Sequence, residues 1–196
     1  MVKGCLVDVY DTILSSRFPE RLRILAAVAG VDPSPDLVDR LVAMDTELVI
    51  SHTDVYDDTV PSLTKLRAEG VRIALVSNCA QNTRPMLAAK GLLDLADAAV
   101  LSCEVGVAKP DPQIYLRALR ALGTPASDAV MLDDQPRFCA GAAAVGIRPI
   151  QVVRPGVGDI QPDRRFTSVA SLADALPLLL SALARHRPAD VARLRA

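Results

Sequence analysis

The sequence is short of aromatic residues. It has no tryptophan and only three phenylalanines and three tyrosines, so its core has to be built from alanine, valine and leucine. Lysine is scarce as well: four lysines stand against 18 arginines. No block of basic residues occurs and the formal net charge is −1, which argues against nucleic acid or a membrane surface as the main partner. No apolar run approaches the roughly 20 residues of a membrane span. The opening stretch MVKGCLVDVYD lacks the charged, apolar and cleavage regions of a signal peptide; it reads as a first strand, and a cytoplasmic location is expected. The four cysteines, Cys5, Cys79, Cys103 and Cys139, form no C-x-x-C pair, which excludes the usual zinc and thioredoxin-type motifs. They are expected to be reduced thiols packed as small hydrophobes. His52 and His186 are far apart in sequence and neither has an evident nucleophile or ligand partner.

What is present is ordinary globular composition, 51% hydrophobic and 23% charged, arranged in a rhythm. Short apolar runs at 4–8, 71–78, 98–102, 129–134 and 148–153 are bounded by turn or charged residues and read as strands. Helices are predicted between and after them. Residues 59–69 stop at Gly70, residues 111–122 open with Asp-Pro and stop at Gly123, residues 137–145 are alanine-rich, and residues 171–185 close the fold. This alternation predicts a parallel sheet covered by helices on both faces. Residues 16–52 break the rhythm with two amphipathic stretches and no strand between them. They are assigned as a small helical cap on a core made of 1–15 and 53–196.

Four stretches fall at the carboxyl ends of predicted strands: DVYDT at 8–12, SN at 77–78, KP at 109–110 and DD at 133–134. In an open parallel sheet these ends share one crevice, so a carboxylate, a hydroxyl, an ammonium and an acid pair would meet there. Each stretch also has a plain structural reading. Asp8, Ser77-Asn78 and Asp133-Asp134 could each cap a following helix, and a loop lysine is usually solvated. Lysine at 109 in so arginine-rich a chain points to a need for a compact charge. Two acids beside Asp8 would repel one another without a cation.

The four stretches, in this order and at these spacings, resemble the haloacid dehalogenase-like hydrolase superfamily over about residues 1–155. The resemblance implies a Rossmann-like fold, a five-stranded parallel sheet with helices on both sides and a cap inserted after the first strand. It implies an enzyme acting on a small-molecule substrate, as a monomer or homodimer. Asp8 resembles the nucleophile that forms a covalent aspartyl intermediate. Thr12 resembles the threonine that orders the first loop, Ser77 the residue that bonds a phosphoryl oxygen with Asn78 beside it at the substrate, and Lys109 the neutralising lysine. Asp133 and Asp134 resemble the acids that hold Mg2+, completed by Asp8 and the main-chain carbonyl of Tyr10.

Tyr10 departs from the phosphatase pattern, where an acid two residues after the nucleophile protonates the leaving group. A phenol, with an unperturbed pKa of about 10, is no simple substitute. Asp11 is adjacent but is expected to face away unless the loop turns sharply, because successive side chains of an extended segment alternate. Tyrosine at this position resembles the 2-haloacid dehalogenases, whose halide leaving group needs no proton; Asn78, Lys109 and Tyr115 fit that group loosely. The dehalogenases carry serine and asparagine where this chain has Asp133-Asp134, and only Lys109, with a cap arginine (Arg17, Arg21, Arg23 or Arg40) as a candidate second cation, is available to offset the extra negative charge. Phe138 is a second departure, at a position where relatives often have a polar or acidic residue. Three readings stay open: a magnesium-dependent phosphatase or phosphotransferase, a metal-independent haloacid-type hydrolase, and a pocket kept for binding or an atypical reaction.

Overall fold

A computed structural model describes residues 2–16 and 35–184. Eight strands and seven α-helices occur among them. The strands are β1 (Gly4–Val7), β2 (Leu14–Ser16), β3 (Thr53–Val55), β4 (Arg72–Ser77), β5 (Ala98–Leu101), β6 (Ala129–Asp133), β7 (Arg148–Val152) and β8 (Thr167–Val169). The helices are α1 (Pro35–Ser51), α2 (Thr59–Ala68), α3 (Thr83–Ala89), α4 (Ser102–Val105), α5 (Pro112–Leu122), α6 (Pro136–Ala144) and α7 (Leu172–Ala184). The first amphipathic stretch of residues 16–52, with Arg17, Arg21 and Arg23, and the tail from residue 185 lie outside the described residues. Among those described, no helix is long and apolar enough to cross a membrane.

Six strands form one parallel sheet in the order β5-β4-β1-β6-β7-β8. All five expected strands are in it. The sixth, β8, corrects the five-stranded expectation; its sequence TSV has no apolar run to announce it. The remaining pair, β2 and β3, also escaped the sequence reading. They form an antiparallel ribbon in which Ser16 faces Thr53.

β1 lies at the centre and is buried along its whole length, GCLV, because helices cover both faces. Cys5 and Val7 point to one side, with Ile73, Leu75, Val130, Leu132 and residues of α2, α3 and α7. Leu6 points to the other, with Ala74, Val76, Met131 and the buried stripe of α5, Ile114, Tyr115, Ala118 and Leu122. α5 has the expected ends: Asp111 accepts the Gln113 N–H at 2.8 Å, and Gly123 closes it in the left-handed region at φ 54°.

β4 and β5 are added on one side of β1, and β6, β7 and β8 on the other. The order therefore reverses around β1, and its carboxyl end opens into the crevice where such sheets bind ligands. On the far side of that crevice α6 lies tight against the loop leading to α5. A Cβ on Gly141 would come within 2.8 Å of the Tyr115 hydroxyl and 2.9 Å of Pro110 Cβ. Gly141→Ala is expected to cost about 1–3 kcal/mol by overpacking. The check is a lower urea midpoint with an unchanged denaturant slope.

Candidate active site

Asp8 follows β1, Ser77 ends β4, Asp133 ends β6 with Asp134 next to it, and Lys109 lies in the loop before α5. These residues are all nearly inaccessible, and Asp133 is fully so. The Lys109 ammonium donates to Asp8 Oδ1 at 2.5 Å and to Asp133 Oδ2 at 2.7 Å. Ligand atoms of Asp8, Asp133 and Asp134 lie within 4.8 Å of one another. Three carboxylates against one ammonium leave an excess of negative charge in a buried place. Burial, and after it the charge of Asp8, pushes Asp133 up to about 8 and Asp134 up to about 7. Burial opposes the charge on Lys109, but Asp8 and Asp133 together override it and raise its pKa.

Lys109 is fixed from three directions. The Asn78 amide grips its main chain both ways, Nδ2 donating to the Lys109 carbonyl at 2.8 Å and Oδ1 accepting the Lys109 N–H at 2.7 Å. The sequence reading put Asn78 at the substrate; the structure gives its amide a positioning task. The Phe138 ring lies 4.8 Å from the ammonium, so the unexpected aromatic faces the buried cation. Tyr115 is buried and its hydroxyl donates to the Phe138 carbonyl at 2.8 Å, a supporting position rather than a place on a substrate.

A cavity of about 230 Å³ opens above the cluster, lined by Asp8, Tyr10, Asp11, Ser77, Asn78 and Lys109 on one side. Asp134, Gln135, Arg137 and Phe138 complete it. Asp133 sits behind, its Oδ2 taken by Lys109 and its Oδ1 accepting the Gln135 N–H at 2.9 Å. Asp8 and Asp134 are thus the clustered acids that face the cavity. Thr12 lies outside it. The Thr12 carbonyl accepts from Arg154 Nε at 2.9 Å, while its hydroxyl is buried with no hydrogen-bond partner among the described residues.

Tyr10 and Asp11 of the first loop both line the cavity. The Tyr10 side chain lines the cavity, and its hydroxyl pairs with Thr83 Oγ1 at 3.0 Å, tying the loop to α3. Asp11 does not face away: it adopts φ 57°, the chain turns sharply, and Asp11 lines the cavity beside Asp8. Alternation fails because left-handed backbone is not extended. Burial and then Asp8 raise the Asp11 pKa. The short polar side chain of aspartate, better tolerated there than most, was the available signal.

Two further residues had no sequence signal. Buried Gln151 on β7 uses its whole amide. Nε2 donates to the carbonyls of Asp134 at 3.0 Å and Gln161 at 3.1 Å, while Oε1 accepts from Asp163 N at 2.7 Å and Ser168 Oγ at 3.2 Å. Arg154 joins the Thr12 carbonyl to Asp58 at 2.9 Å and stacks 3.8 Å over the Tyr56 ring. Asp58 in turn accepts the N–H of Leu172 at 2.7 Å, where α7 begins.

An all-oxygen, buried, over-negative donor set fits a hard divalent cation. The model of the haloacid dehalogenase-like hydrolases matches residues 20–146. The chain belongs to this family. Glyceraldehyde 3-phosphate phosphatase of Methanopyrus kandleri is 30% identical over 149 residues, 75% of this chain and 64% of that protein. (S)-2-haloacid dehalogenase 4A of Burkholderia cepacia is 28% identical over 148 residues, 73% of this chain and 61% of that one. The matched stretch therefore spans less than two thirds of either relative. The fold is also that of a HAD phosphatase crystal structure from Thermococcus onnurineus, with a TM-score of 0.70, 24% identity, and coverage of 90% of this chain and 97% of that one.

The charge cluster predicts how stability depends on pH. Unfolded carboxyls titrate near 3.9, whereas the folded pair holds its protons up to about 7 and 8. The folded state therefore binds more protons between those values, and this contribution to stability is lost as pH rises through them. Without metal, the melting temperature is expected to fall between about pH 5 and pH 8.5. Millimolar Mg2+ is expected to raise it, and more at the upper pH, where no proton competes. Thermal unfolding with and without EDTA reads both effects.

Proposed function

We propose that the chain is a magnesium-dependent phosphatase or phosphotransferase that acts on a small phosphorylated metabolite through a covalent intermediate on Asp8. The observation that carries this reading is the buried set of three acids around Lys109, three carboxyl groups against one ammonium. Asp8, Asp134 and the Tyr10 carbonyl are the direct holders of Mg2+, with Asp133 behind them. When bound, the cation neutralises charge and polarises the phosphoryl oxygens. The cavity, at about 230 Å³, lies below the roughly 300–1,000 Å³ of sites for drug-sized ligands. That size suits a phosphoryl group with a small remainder.

The residues divide the work as follows. Lys109 engages Asp8 Oδ1, leaving Oδ2 to attack phosphorus while the bond to the leaving oxygen breaks. Ser77 donates to a phosphoryl oxygen. Water then attacks phosphorus, releases phosphate and restores Asp8. The leaving oxygen needs a proton, and Tyr10 is a poor source. Asp11, turned into the same cavity, is the carboxyl placed to exchange it. Residues 16–52 act as a small cap over the core of 1–15 and 53–196 and govern access.

Phosphate release from a panel of phosphorylated metabolites is expected to require Mg2+ and to fall to background in Asp8→Asn. Release undiminished by EDTA overturns the reading. Asp11→Asn is expected to lower kcat about 10²-fold for alkyl phosphates and far less for p-nitrophenyl phosphate, whose leaving group needs no proton. Tyr10→Asp should recover the loss in that background. A second reading rests on Tyr10 at the cavity wall: halide displacement from a 2-haloacid, with Asp8 attacking carbon. It predicts chloride release from 2-chloropropionate without metal, and an ion-selective electrode decides it.

A further inference from the structure

Two of the four cysteines are not core thiols. Cys5 and Cys139 are buried, but Cys79 and Cys103 are half-buried, and their sulfurs lie 3.8 Å apart. The juxtaposition follows from the sheet. β4 and β5 run parallel with Ser77 opposite Leu101, so the residues two beyond each partner meet at the same height. The seam around the pair is built. Ser102 Oγ accepts the Cys79 N–H at 2.9 Å and reaches the Cys79 carbonyl at 3.4 Å. Arg84 on α3 forks onto both oxygens of Glu104 on α4, at 2.5 and 2.7 Å.

We propose that Cys79 and Cys103 are an oxidation site, which a low-molecular-weight disulfide converts to an intramolecular disulfide that slows turnover in the adjoining cavity. One cysteine thiolate attacks the small disulfide, forms a mixed disulfide and expels one small thiolate. The second cysteine thiolate then attacks the protein sulfur of that mixed disulfide and expels the other. The two cysteines lose two protons and two electrons, and the small disulfide is reduced to two small thiols. Burial, followed by the neighbouring Cys79, raises the Cys103 pKa, so the exchange quickens as pH rises.

The consequence for turnover comes from Asn78, which precedes Cys79 and grips the Lys109 main chain. A disulfide needs its sulfurs at about 2.0 Å, so closing the present gap draws Cys79 toward α4. Asn78 is pulled with it, and the lysine that holds Asp8 shifts. Misplacement by about 1 Å costs up to roughly 10²-fold in rate. The cross-link itself is independent of the proposed reaction; the slowing rests on it.

The test treats the full chain with oxidised glutathione, then counts thiols after unfolding and maps peptides. Two of the four thiols are expected to vanish, with a peptide joining residues 79 and 103. Phosphate release is expected to fall about tenfold or more and to return with dithiothreitol. Cys103→Ser is expected to keep its activity under the same treatment. Unchanged thiols, or glutathione adducts without the joined peptide, overturn the proposal; so does a cross-linked chain with unaltered turnover. A reduced chain that releases no phosphate counts against the phosphatase reading alone, and the peptide map still decides the cross-link.

Discussion

A single buried ammonium organises the carboxyl edge of this sheet. Lys109 bridges Asp8 and Asp133, and without it three carboxylates would crowd one nearly inaccessible site. Removing such charges from water costs several kcal/mol each, and attraction offsets that only when the geometry is well held. The supports around Lys109 fit this demand. Asn78 fixes its main chain, Phe138 offers an aromatic face, and Tyr115 holds Phe138 by its carbonyl. Behind Tyr115, Gly141 leaves the room that its hydroxyl needs. Packing on α5 and α6 thus serves electrostatics on the opposite side of the same loop.

The first loop balances two requirements. Tyr10 brings a phenol in place of a carboxyl, and its hydroxyl anchors the loop to Thr83. The next residue then takes a backbone conformation that most side chains resist, and this brings Asp11 round to the cavity. A carboxyl next to Tyr10 in the chain thereby lines the same cavity. Arg154 fastens the loop from behind through the Thr12 carbonyl, and through Asp58 it ties the loop to the start of α7.

The parallel sheet and the residues at its crevice were legible because each obeys a local rule. Apolar runs ended in Asp8, Ser77 and Asp133, and a compact cation stood out in an arginine-rich chain. The elements that escaped notice have no such signature. β2, β3 and β8 are three residues each and mostly polar, so their pairing depends on partners distant in sequence. Gln151 and Arg154 look like any surface residue until the fold surrounds them. Asp11 was misread because alternation holds only for extended backbone. Cys79 and Cys103 gave no pairing motif because their proximity comes from the register of two parallel strands. Of the candidate cap arginines only Arg40, exposed on α1, falls among the described residues.

The ribbon of β2 and β3 has a further consequence. Because Ser16 lies opposite Thr53, the chain departs from the core and rejoins it at neighbouring points. The loop-closure entropy of whatever lies between grows only slowly with its length, by about 0.6 kcal/mol per doubling. Part of that stretch is tied back to the core, since α1 packs Val49 into the hydrophobic cluster. The ribbon works as a coupling joint. The buried ammonium and its acids all stand on the sheet side of that joint.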